Sequence, residues 1–120
     1  MRLPSPVLHE RTVRLAKESA ALTIVDRLSG TGAHRLDWHF HLAPGIDVER
    51  VAPGEFVLRS SSRRFRLRAP VEADATIADA WYSPSYGVRV PCRALDLTLE
   101  TRLSGVASYS FAIDREDRDP

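Results

Sequence analysis

Apolar and polar side chains alternate with a period of two along most of the chain. Turn-forming Gly, Pro and Ser residues break that alternation about every eight to twelve positions. Successive side chains on a strand point to opposite faces, so residues two apart share one. The clearest case is residues 36–42, where Leu36, Trp38, Phe40 and Leu42 share a face and Asp37, His39 and His41 take the other. The same reading predicts strands over residues 9–17, 22–28, 46–51, 55–59, 64–68 and 71–80. Leu95, Leu97 and Leu99 alternate with Asp96, Thr98 and Glu100, and a last strand after Gly105 puts Tyr109, Phe111 and Ile113 on one face. Ser29-Gly30-Thr31-Gly32, Pro44-Gly45, Pro53-Gly54 and Ser60-Ser61-Ser62 are the predicted turns. Only residues 14–21 have a passable helical composition, and their flanks read as strand. The pattern predicts an all-β fold, an antiparallel β-sandwich of about nine to ten short strands.

Composition narrows the function classes. With 120 residues, 43% hydrophobic and 28% charged, the chain has the makings of one globular domain. Seventeen basic residues against sixteen acidic ones leave a net charge of +1, which argues against a bulk electrostatic partner such as nucleic acid. No apolar run approaches the ~20 residues that span a membrane as a helix. Residues 1–6 lack the apolar core of a signal peptide. Cys92 is the single cysteine, so an intramolecular disulfide and a cysteine-based zinc site are excluded. Between Pro91 and Arg93 it reads as a small core residue.

Three groups of residues carry candidate chemistry. His39 and His41 lie at i and i+2 on one strand face, a spacing that lets two imidazoles share a metal. It resembles the first motif of the cupin barrel, but the glycine and glutamate spacings do not match and the second histidine motif is missing. Two polar residues on an outward face is the favoured reading. Arg64, Arg66 and Arg68 form a basic stripe, ~6.7 Å per step, that can bind carboxylate or sulfate with guanidinium forks. A solvated outer face that protects a strand edge is the plainer alternative. Trp81, Tyr82 and Tyr86 flank a Ser-Pro segment, where aromatic faces can stack on sugar rings or close one end of the core. No Gly-x-Ser-x-Gly and no phosphate loop occurs.

An ordered set of short phrases resembles the C-terminal region of heparinase II/III-like proteins: His9-x-Arg11, Ile24-Val25-Asp26-Arg27, Phe40-His41-Leu42-Ala43-Pro44-Gly45, and Trp81-Tyr82-Ser83-Pro84-Ser85-Tyr86-Gly87. The set covers about residues 9–113. The resemblance implies a parent enzyme with an N-terminal α-helical toroid followed by stacked antiparallel sheets. Such enzymes cleave uronic-acid polysaccharides by β-elimination, with a tyrosine moving protons and a His or Asn neutralising the carboxylate. It also implies a structural zinc elsewhere in the parent, and a family commonly periplasmic or secreted in bacteria. The family's catalytic and zinc residues lie upstream of the matched phrases, so Tyr82, Tyr86, Tyr109, His39 and His41 inherit none of those roles.

The expected organisation is a lead-in at residues 1–8, a sandwich at 9–114 and a frayed, charged tail at 115–120. The expected function is a non-catalytic sheet supporting the toroid, inactive alone and without a cofactor of its own. Its expected partners are the toroid and the upstream sheet, with an acidic polysaccharide as a further candidate and neither nucleic acid nor membrane among them. An anionic-carbohydrate-binding module, using Arg64, Arg66 and Arg68 with Trp81 and Tyr86, is the alternative; a cupin-like metal protein is a minor one. If the sheet continues into a missing half, an exposed apolar patch or edge is expected around residues 7–15.

Overall fold

The computed structural model describes residues 7–18 and 21–116. They form seven strands and no helix: β1 (Leu8–Ala16), β2 (Ala21–His41), β3 (Asp47–Ala52), β4 (Glu55–Arg59), β5 (Arg64–Arg68), β6 (Asp74–Ser85) and β7 (Val88–Arg115). All pairings are antiparallel within one sheet of order β1-β2-β7-β5-β4-β3, with β6 also paired to β7. The all-β antiparallel class is as the alternation predicts. The strands are fewer and two are much longer, because segments read as separate strands are continuous.

The fusions occur at glycines. Ser29-Gly30-Thr31-Gly32 lies inside β2 and Gly105 inside β7, where Gly30 sits opposite Gly105. Gly32 and Gly105 have φ of 90° and 115°, a region other residues avoid. Here the left-handed backbone bends a continuous ladder instead of reversing the chain. β2 and β7 stay in register throughout, from Ala21 opposite Asp114 to His41 opposite Ala94.

The bend can be measured from side chains. Trp38 is the register partner of Leu97, and a straight strand at ~3.3 Å per residue would hold Leu97 and Phe111 roughly 45 Å apart. Yet the Trp38 and Phe111 rings are 5.2 Å apart, and Phe40 lies 5.5 Å from Phe111. The long β2–β7 ribbon therefore folds back over itself, and the one sheet supplies both layers of a sandwich. Between them sit Trp38, Val48, Phe56, Leu58, Leu67, Leu95, Leu97 and Phe111, with Leu36, Phe40, Phe65, Leu99, Tyr109 and Ile113 packed around them. These are the faces that the alternation assigns inward.

The β3–β4 turn is tightly held. Gly54 is buried at φ +71°, and a Cβ there would lie 2.6 Å from the Ala69 carbonyl oxygen. That close approach accompanies the 2.8 Å hydrogen bond from the Ala69 N–H to the Gly54 carbonyl.

Two parts project from the core. β1 is an edge strand whose nine residues are all exposed, including Leu8, Val13 and Leu15. This is the exposed edge expected around residues 7–15. At the other extremity, β6 continues through Trp81 to Ser85 and turns at Tyr86-Gly87, so the Ser-Pro segment is strand; Gly87, at φ 79°, supplies the reversal. β7 residues before Ala94 have no β2 partner, which leaves this hairpin a two-stranded ribbon. The radius of gyration, 16.5 Å, exceeds the ~13.5 Å of a compact chain this long.

Candidate functional site

The most developed polar cluster lies inside the β1 side of the sandwich. Leu22, Ile24, Asp26 and Leu28 share the inward face of β2, which carries Asp26 into the core with 1% exposure. A carboxylate so placed must be compensated. Arg11 stands directly opposite on β1, and its Nε and Nη2 donate to Oδ1 and Oδ2 at 2.7 and 2.8 Å. His9, two residues earlier on the same face, brings Nε2 to 3.0 Å from Oδ1. Trp38 donates from Nε1 to Oδ2 at 3.0 Å. Four contacts occupy the roughly four lone-pair sites of the carboxylate.

Burial is the largest single influence on this carboxyl and opposes ionisation. The hydrogen bonds from Arg11, His9 and Trp38 and the charge of Arg11 outweigh it, and the pKa falls to about 2. The same hydrogen bond, opposed by desolvation, raises the pKa of Arg11. A cavity of about 200 Å³ opens beside the cluster between His9, Arg35 and Trp38. Its chemistry is that of a clamp. A carboxylate with saturated lone pairs and a pKa of about 2 is a poor general base, whose pKa should lie near the working pH. Asp26 instead ties the edge strand β1 to β2 and to Trp38, beyond the glycine bend. Two of the sequence phrases, His9-x-Arg11 and Ile24-Val25-Asp26-Arg27, thus meet at one point.

The arginine stripe is on one strand face as predicted, but acids neutralise it. Arg66 Nε donates to Glu116 at 2.6 Å, with Glu55 at 3.4 Å, and Arg68 donates to Asp114 at 3.0 Å. Arg64 lies 2.9 Å from Glu116. The Arg66 hydrogen bond, against some desolvation, lowers the pKa of Glu116. Residues 115 and 116, at the start of the charged tail, are held: Arg115 pairs with Phe65 and the Glu116 N–H donates to the Arg64 carbonyl. Residues 117–120 and 1–6 lie outside the described residues.

Trp81 and Tyr86 sit on the projecting ribbon, 60% and 104% exposed, with the Arg89 guanidinium 5.5 Å over the Trp81 ring. Among the described residues no hydrogen bond, ring contact or cation–π contact joins them to the arginine stripe: Trp81 is the register partner of Pro91, while β5 pairs with residues 112–115 of β7. His39 and His41 face outward, and His39 Nδ1 lies 2.6 Å from Asp96 Oδ1, its partner across the ladder. Among the described residues no group of three or more His, Cys, Asp or Glu side chains is placed to hold a metal. Cys92 is buried and free. Tyr82, Tyr86 and Tyr109 make no hydrogen bond through their phenol oxygens within the described residues, and Tyr109 packs on Trp38 at 5.5 Å.

The described residues thus form one antiparallel sheet folded into a sandwich, clamped by an inward carboxylate and open along one edge strand. The chain belongs to the heparinase II/III-like C-terminal family, whose profile matches residues 2–115. No curated protein matches it. Among solved structures it is similar to a heparinase III gene product with methylated lysines, with a TM-score of 0.73 and 17% identity over 92% of this chain. It is likewise similar to the heparan sulfate lyase HepC from Pedobacter heparinus, with a TM-score of 0.76 and 12% identity, again over 92% of this chain. The chain spans 17% and 18% of those two proteins. At these identities the likeness is one of fold.

Proposed function

We propose that this chain is the non-catalytic C-terminal sheet of a polysaccharide lyase, supporting a catalytic toroid carried elsewhere in the parent protein. The observation that carries the reading is its extent: 92% of the chain corresponds to less than a fifth of each lyase. The exposed strand β1, with Val13 and Leu15 on the face that carries Arg11 toward Asp26, offers an edge for an upstream sheet. β-Elimination needs a base and a carboxylate neutraliser in one cleft. The polar cluster found here is a saturated clamp, and among the described residues the tyrosine hydroxyls make no hydrogen bond.

The test is incubation of the 120-residue chain with heparan sulfate, alginate and hyaluronan, following the ultraviolet absorbance of the unsaturated product. No increase above buffer is expected, and a sustained increase would overturn the reading. Retention of uncleaved polysaccharide in the same assay addresses carbohydrate binding. That role suits Trp81 and Arg89 better than the stripe, because Arg66 and Arg68 already hold carboxylates.

A further inference from the structure

A further cavity lies away from both the Asp26 clamp and the aromatic ribbon. It is lined by Arg59, the Ser60-Ser61-Ser62 turn, Arg63, Arg64, Arg115 and Glu116, and its volume is about 480 Å³. That is within the ~300–1,000 Å³ of small-molecule sites. We infer that this cavity binds an oxyanion group, a sulfate or phosphate ester carried on a larger ligand.

The topology concentrates positive charge here. Arg59 and Arg64 are directly opposed at the β4–β5 turn, and like charges in that arrangement destabilise a ladder. Arg115 arrives on the neighbouring strand, opposite Phe65. Among the described residues, four guanidinium groups thus line the cavity with one carboxylate, and that carboxylate, Glu116, is shared with Arg66 outside it. Arg59 reaches Glu49 at 2.9 Å, also outside the lining. Among the described lining residues positive charge is in excess.

Several donors are also uncommitted. Arg64 Nε is buried, and its 2.9 Å approach to Glu116 lacks the alignment of a hydrogen bond. Among the described residues the Arg63 guanidinium and the Ser61 and Ser62 hydroxyls have no partner. The turn is meanwhile fixed from within. Ser60 N–H donates to the Arg63 carbonyl at 2.9 Å, and Arg63 N–H donates to Ser60 Oγ at 3.0 Å. Little ordering would be needed on binding.

Guanidinium groups only donate, and sulfate and phosphate esters accept from several directions, so donors converging from two strands and a turn suit a tetrahedral anion. At ~30 Å³ per water the cavity has room for the anion and part of the group bearing it. Of the Arg64/Arg66/Arg68 stripe visible in the sequence, only Arg64 belongs to this lining. Arg66 and Arg68 are outside the lining.

The test is a titration of the 120-residue chain with sodium sulfate and sodium phosphate against sodium chloride at matched ionic strength, read by backbone amide shifts. Glucose 6-sulfate and glucose 6-phosphate form the arms that separate the two ester sources. Saturable shifts confined to residues 59–64 and 115–116 are expected, with affinity about tenfold weaker in Arg63→Ala and unchanged in Arg68→Ala. Arg63 is exposed on a turn, so its loss should leave the fold intact. A response no different from chloride, or equal weakening in the two variants, would overturn the inference.

Discussion

Arg11 and Arg68 each reach a carboxylate across a strand ladder, at 2.7 and 2.8 Å to Asp26 and at 3.0 Å to Asp114. Their distances barely differ, while their surroundings differ greatly. The Asp26 side chain is 1% exposed and accepts from three residues, whereas Asp114 is 44% exposed and Arg68 54%. An exposed pair exchanges water contacts for protein contacts at little net gain. A carboxylate enclosed by the sandwich has no water to return to, so removing its half-exposed Arg11 partner strands a buried charge. The stripe that is conspicuous in the sequence is thus energetically ordinary, and the single inward Asp is not.

The sharpest way to break this comparison is Arg11→Ala. It leaves the buried Asp26 carboxylate with only His9 and Trp38 and loosens β1, and should cost about 3–5 kcal/mol in urea denaturation at neutral pH. A loss below ~1 kcal/mol would make Asp26 the equal of Asp114. Acid gives a second, smaller effect. Because the folded pKa of Asp26, about 2, lies below its ordinary 3.8, its contribution is fully present above about pH 4 and disappears as pH falls to about 2. That component is about 2 kcal/mol, and should be missing from the pH dependence of Asp26→Asn. The smallest effect belongs to Arg68→Ala, at most about 1 kcal/mol and reduced further by salt. A larger cost in the same urea assay would show that exposure does not separate the two pairs.

The sequence shows some of this clearly and hides the rest for identifiable reasons. β4 and β5 have the predicted bounds, residues 55–59 and 64–68, because both are short and closed by unambiguous turns. The inward faces of residues 36–42, 95–99 and 109–113 follow from parity alone. Parity cannot distinguish a glycine that reverses a chain from one that bends a long strand, which is why β2 and β7 read as pieces. Asp26 left a trace: it is a charge on the face shared by Leu22, Ile24 and Leu28. Its donors could not be read the same way, since Arg11 and His9 come from another strand and Trp38 from across the bend. The acids that occupy the arginine stripe, Asp114 and Glu116, arrive from the far end of the chain, as does Arg115 at the cavity.

The unbroken β2–β7 ladder also governs how the chain reaches this structure. Even its shortest closure, His41 against Ala94, spans everything between those residues, and its longest runs from Ala21 to Asp114. Loop-closure entropy must therefore be met before any β2–β7 contact can contribute. The β1–β2 and β3–β4–β5 hairpins can form early, but each is a fragment without its opposite layer. During synthesis β2 must wait for β7, and the apolar faces of both halves stay uncovered until the last strand emerges. A slow, late and collective folding step is built into the topology, and with it a period in which the chain is open to mispairing.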